Sequence, residues 1–243
     1  MRTAVGSGNL DVVKYLREKN CDWDSTACSE AAEKGYLDIL KWLHENGCHW
    51  DYFSLKGAAE HGHLKILQYL VENHCKFNNV FPLMESAVKG GNLELIKWLR
   101  TKLTISLETS LCSIASDCEH WDVVLWLIKN GCVPRKNVMH EALRTQSLEA
   151  LLEIYHSNGA FGQDWKMLNA VGANGRKDFV EWLSKKLDRN KLDYFYECWS
   201  QVFMGACSEN HLDIMKIALR NYLVCYEEFS DWNNYPIMCK WLK

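Results

Sequence analysis

Apolar and polar positions along this chain recur as whole blocks, not only as a helical stripe. The sequence reads AVGSGNLDVVKYLREKNCDW from Ala4, AAEKGYLDILKWLHENGCHW from Ala31 and AAEHGHLKILQYLVENHCKF from Ala58, an interval of 27 residues with no insertion. The block returns with drift at Ser86, Ile114, Ala142, Ala170 and Ala206. One turn position follows it through Gly8, Gly35, Gly62, Gly91, Glu119, Gln146, Gly175 and Asn210, with gaps of 27, 27, 29, 28, 27, 29 and 35. The last gap predicts an insertion or irregular segment around Lys185 to Ser200. Self-similarity at this period marks a stacked repeat architecture, not a single core.

Within a unit, Leu37, Ile39, Leu40, Trp42 and Leu43 alternate with Asp38, Lys41 and Glu45, which predicts an amphipathic helix. Before it, Ala31 and Ala32 close a shorter helix that starts near Asp24 or Ser25, residue types that cap free N–H groups. Gly35 then supplies the left-handed residue of a tight turn. Each unit is thus helix, turn, helix, and cannot hide its apolar face alone; stacked neighbours bury it. The expected fold is an all-α solenoid forming one array over 1–243. Its units are 1–23, 24–50, 51–77, 78–105, 106–133, 134–161, 162–190 and an irregular 191–243.

Composition agrees with such an array: 48% of residues are hydrophobic, 24% are charged, and only three are proline. A net charge of −3 with dispersed Lys and Arg argues against nucleic acid as partner. No apolar run approaches the roughly 18 residues of a membrane helix, and the start, MRTAVGSGNLD, carries no signal-peptide core. Eleven cysteines, an odd number without a CxxC, fit reduced thiols in an intracellular protein, cytoplasmic or nuclear, better than a disulfide framework.

The unit resembles the ankyrin repeat. Thr26 to Ala32 reads TACSEAA where that family has TPLHxAA, Gly62-His63-Leu64-Lys65 reads GHLK at its turn, and Asn46-Gly47-Cys48 stands at its Gly-Ala end. The AAxxGHLxxLKWLxxNGCxW form is similar to ankyrin proteins abundant in giant amoeba viruses and some protists. The family unit has about 33 residues. The deficit of about six falls between Asp24 and Thr26, so the β-hairpin fingers of the family are expected to be reduced or absent. The His of TPLH is replaced by Ser29, Lys56 and Met84, and only Pro82-Leu83 keeps the Pro-Leu pair.

What the resemblance implies is a non-catalytic module or adaptor that binds a protein partner, a host protein if the chain is viral. With short fingers, recognition shifts to the first helices and the turns after them, at Glu30, Glu33, Lys34, Tyr36, Glu60, His61, His63 and Lys89. Any single one of these reads more readily as a solvated surface residue, since only a minority of surface positions carry binding energy.

Other chemistry carries less weight. Cys21, Cys48, Cys75 and Cys132 share one repeat position, but one unit apart means roughly 8–10 Å between packed helices. That spacing is too wide for shared zinc coordination, and the cysteines read as small buried hydrophobes. His61 and His63 flank Gly62, and His49 and His74 neighbour cysteines, without the positioned base and orienting group that a nucleophile needs. Trp42, Trp98, Trp126 and Trp182, with Trp23, Trp50 and Phe77 two after the cysteine position, read as core packing and not as base-stacking platforms. Gly57 and Gly62 have the Walker separation, but His63-Leu64 replaces the Lys-Ser/Thr. No catalytic residue, metal or cofactor is expected.

The alternatives are a substrate-targeting subunit of a ubiquitin ligase, since relatives often join ankyrin arrays to F-box segments, and a Cys/His-dependent enzyme. The array opens mid-repeat at Met1, and Pro236 to Lys243 resembles the start of another second helix. A monomer with frayed ends, or with end-to-end association, is therefore expected.

Overall fold

The computed structural model describes residues 1–76, 80–103, 105–157, 165–186 and 192–226. Phe77 and Pro236 to Lys243 lie outside the described residues. Among the described residues there are sixteen α-helices and no strand, and they divide into two compact units, Met1–Arg135 and Lys136–Lys243.

In the first unit the helices come in consecutive pairs: α1 (Arg2–Gly6) with α2 (Leu10–Glu18), α3 (Ser25–Lys34) with α4 (Leu37–Glu45), and α5 (Tyr52–Glu60) with α6 (Leu64–Glu72). Then come α7 (Phe81–Lys89) with α8 (Leu93–Leu103) and α9 (Thr109–Asp117) with α10 (Trp121–Lys129). The first helix of each pair packs on the first helix of the next, from α1 through α3, α5 and α7 to α9. The second unit repeats the scheme with α11 (Lys136–Thr145), α12 (Leu148–Ser157), α13 (Trp165–Ala173), α14 (Lys177–Lys186), α15 (Leu192–Ser208) and α16 (Leu212–Tyr226).

Local chemistry sets these boundaries. Asp24 and Asp51, one period apart, are the N-caps of α3 and α5, each accepting the backbone N–H two residues on at 3.0 Å. Asn9 does the same for α2. Gly35 closes α3 at φ 84°, a conformation that costs a residue with a Cβ about 1 kcal/mol or more. The same turn position is occupied by Glu119 at φ 61° and Asn210 at φ 60°. α3 is no shorter than α4, ten residues against nine. The expectation of a shorter first helix fails because α3 continues past Ala31 and Ala32 to Lys34, whereas α4 ends at Glu45. The six-residue connection Asn46–Asp51 contains no strand, so no finger projects there. In the long gap, Leu192–Ser200 is not irregular but forms the first half of the 17-residue α15.

Packing depends on neighbours. Ile39 and Ile66 are 3% and 2% exposed, whereas Val12, one period earlier on α2, is 41% exposed. The three helices share one pattern. They differ in that α4 and α6 have a preceding pair against them. Burying one such side chain stabilises by about 1.5–3 kcal/mol. Small residues let the first helices close up: a Cβ on Gly90 would stand 1.9 Å from the Glu60 carbonyl oxygen, and one on Gly205 equally near that of Asn169, between α15 and α13. The tryptophans at the second-helix position are not core, contrary to the sequence reading. Trp42, Trp98, Trp126 and Trp182 are all half-buried on the flank of the apolar stripe. Trp23 meets Trp42 edge-on at 5.7 Å, and Trp50 meets Tyr69 likewise at 5.9 Å, each joining one unit to the next.

Polar contacts fix the stacking register. The residue opening the second helix reaches back to a carbonyl of the preceding turn: His63 Nε2 donates to Glu33 O (2.9 Å), His120 Nε2 to Lys89 O (2.8 Å) and His211 Nε2 to Ala173 O (3.0 Å). These carbonyls are among the four that a helix end leaves unbonded. In the second unit Arg176 plays this part, donating to Leu143 O and Gln146 O at 3.1 and 2.8 Å while Asp178 holds the guanidinium from the other side at 2.6 Å. That guanidinium keeps the Asp178 carboxyl below the usual carboxylate range, with its own backbone donors from Phe179 adding to the effect.

Two outcomes follow. Glu119→Gly is expected to stabilise the protein by about 0.5–1 kcal/mol in urea unfolding, because the left-handed turn no longer carries a Cβ. Asp178 contributes stability that is present above its unfolded pKa and lost as pH falls through its lower folded value. Acid titration of unfolding should therefore show a steeper loss below about pH 4 in the native chain than in Asp178→Asn, and superimposable acid limbs would refute this role.

Candidate protein-binding groove

Because the first helices stand side by side, α1, α3 and α5 leave a groove of about 430 Å³ along their exposed sides. Its acidic wall comes from Glu30, Glu33, Asp51 and Glu60, and its cations are Arg2 and Lys56. Arg2 Nε donates to Glu30 Oε2 at 2.7 Å, which occupies one carboxylate and ties α1 to α3. Glu33 meets Lys34 Nζ at 3.3 Å on the open surface, a contact worth little in water. The floor is the close approach of α3 and α5, where a Cβ on Gly57 would meet that of Glu33 at 3.3 Å. Phe53, 63% exposed, gives the groove its apolar patch.

Four of the residues singled out from sequence, Glu30, Glu33, Glu60 and His61, line this groove. His61 also turns its Nδ1 to Gly57 O at 3.1 Å. Tyr36 and His63 lie instead in the turns. The Tyr36 ring covers Gly8, and the His63 ring covers Gly35 while holding Glu33 O. Lys34 and Lys89 are exposed at the ends of α3 and α7, and the Lys89 carbonyl is taken by His120.

Sequence reasoning missed Arg2, Asp51, Phe53 and Lys56. A signal for two of them existed: by the 27-residue register Phe53 and Lys56 fall on Thr26 and Ser29, which also line the groove. At the position where the ankyrin pattern has His, Ser29 donates to Ser25 O at 3.1 Å and stands 3.4 Å from Asp51 Oδ1 in the next unit. The lost histidine bond is thus partly replaced by a hydroxyl between units.

A second cavity, of about 400 Å³, brings His44, His49 and His74 together with Trp50, on which His44 stacks at 3.5 Å. The neighbouring thiols do not join them. Cys48 Sγ donates to Asp24 O at 3.3 Å and Cys75 Sγ to Asp51 O at 3.5 Å, each reaching the N-cap carbonyl 24 residues back. Cys132 repeats this with Glu108 O at 3.2 Å. These cysteines are buried as the sequence reading expects, but each is also a polar tie. Burial pushes the Cys75 thiol up to about 11, and the nearby Asp51 carboxylate adds to it, so this thiol is a poor nucleophile at neutral pH. Among the described residues no group of three or more His, Cys, Asp or Glu is arranged to hold a metal ion. Nor is any described helix long and apolar enough to cross a membrane.

The comparisons with known proteins come down on the same architecture. The family model for ankyrin repeats (3 copies) matches residues 55–138. Among solved structures, the crystal structure of the human ASB11 ankyrin repeat domain is similar at a TM-score of 0.53 and 20% identity, covering 65% of this chain and 82% of that one. At that identity the likeness concerns the fold. No curated protein matches the chain.

Proposed function

Since this chain is an ankyrin-repeat solenoid, of a family whose members are generally protein–protein interaction modules, we propose that it is a non-catalytic binding module that receives a basic segment of a protein partner in the groove of α1, α3 and α5. The observation that carries the reading is the charge of that groove: four carboxylates face two cations, and one carboxylate is already held by Arg2. An acidic groove speeds encounter with a basic segment and disfavours acidic ones. Phe53 offers such a segment an apolar anchor at the groove's edge, and aromatic side chains are enriched among residues that carry binding energy. Lys34 and Lys89, exposed at the ends of α3 and α7, border the recognition face, while Tyr36 and His63 support the turns beneath it. The setting proposed is intracellular, cytoplasmic or nuclear, with the protein acting as a monomer.

The test uses fluorescent peptides of matched length, Lys/Arg-rich or Asp/Glu-rich, followed by anisotropy at increasing salt. Basic peptides are expected to bind, to weaken with salt, and to lose about tenfold in affinity, ~1.4 kcal/mol, in Glu33→Lys/Glu60→Lys. Phe53→Ala should weaken binding at unchanged thermal stability, because its ring is exposed in the free protein. Equal affinity for acidic and basic peptides, or full retention of binding in the charge-reversed chain with native helicity, would overturn the proposal.

A further inference from the structure

One pair of thiols differs from the rest of the cysteine series. Cys112, on α9, points its sulfur at Cys132, in the turn after α10, with the two Sγ atoms 2.8 Å apart. A disulfide needs about 2.05 Å, so closing the bond asks for a movement of about 0.8 Å. Neither sulfur has other bulk between it and its partner, and both residues are at most 2% exposed. The arrangement has a sequence basis. Cys112 falls at the register position of Cys28, whose Sγ instead donates to the Cys48 carbonyl at 3.9 Å, and in the unit after that the position is Leu55, in the unit of Cys75. Two units thus carry a cysteine at both register positions, and in the Cys112–Cys132 unit the two sulfurs face each other directly.

We propose that Cys112 and Cys132 are a redox modification site, closing to an intramolecular disulfide by exchange with a low-molecular-weight disulfide of the glutathione type. The order of events follows from position. Cys132 lies in a surface turn between exposed Gly131 and Val133, so local opening of that turn presents its sulfur first. The bond donated by Cys112 also favours the thiolate at Cys132. That thiolate, having lost its proton to solvent, attacks one sulfur of glutathione disulfide, forming a Cys132–glutathione bond and releasing one glutathione. Cys112, deprotonated in turn, attacks the Cys132 sulfur and expels the second glutathione. Two protein thiols are oxidised, and one small disulfide is reduced to two thiols. The product links the end of the unit to the middle of its own first helix, closing a loop from 112 to 132 and tying down the turn that had opened. Reducing thiols reverse it.

The experiment maps cysteines in the full reduced chain after exposure to glutathione disulfide under native conditions, by alkylation and peptide mass spectrometry. The expected result is a linked Cys112–Cys132 peptide pair, lighter by two hydrogens, with both cysteines lost to alkylation and restored by dithiothreitol. Cys75, whose unit carries Leu55 at the register position of Cys112, should give no internal link. In Cys112→Ala the reaction is expected to stop at the Cys132–glutathione adduct. The native chain alone is decisive if that variant does not fold. Glutathionylation of exposed Cys118 while Cys112 and Cys132 both remain alkylatable would overturn the proposal, as would Cys132 linking to any other cysteine in preference.

Discussion

Everything in this protein depends on apolar surface that a single helical pair cannot cover. The contrast between Val12, 41% exposed, and Ile39 and Ile66, 3% and 2% exposed at the same register position, illustrates that constraint, since α4 and α6 follow another described pair. Stability is then a sum over pairs and the faces between them, and within each compact unit every pair completes its neighbour's core. The small residues at the first-helix ends serve the same end. Gly90 and Gly205 bring backbones so near that a methyl group would strike a carbonyl oxygen.

Hydrophobic burial is non-directional, so something else must fix the register. Here it is a repeated polar device: a side chain at the start of the second helix takes a carbonyl left open by the preceding first helix, and a thiol at the end of the unit takes the N-cap carbonyl of its own first helix. Histidine and arginine fill the first role, at His63 and Arg176, and Asn92 reaches instead to the turn carbonyl of Gly62. The role is geometric, requiring only a donor of suitable reach, and the identity of the residue is free to drift.

The groove arises from the same stacking. First helices held at close spacing present their outer residues as a continuous strip, and no hairpin finger projects from the described Asn46–Asp51 connection beside it. Phe53 and Lys56, at the register positions of Thr26 and Ser29, set the strip's chemistry. The facing thiols at Cys112 and Cys132 occupy the opposite situation, a buried position where a second sulfur adds reactivity to what is otherwise a packing contact.

The period, the helix-turn-helix unit, the Asp caps and the left-handed turns were all legible in the sequence, because each is specified by residues close together in the chain and recurs often enough to be read as a pattern. Half of the candidate surface was legible too, through the half-buried glutamates of the first helices. Contacts between residues 19 to 38 positions apart were not legible. Composition does not tell whether His63 faces a partner or holds Glu33, whether a half-buried Trp42 meets Trp23, or that Arg2 would come to Glu30 and Cys112 to Cys132. Those outcomes depend on how far one pair is shifted and turned against the next, and only the packed structure fixes that.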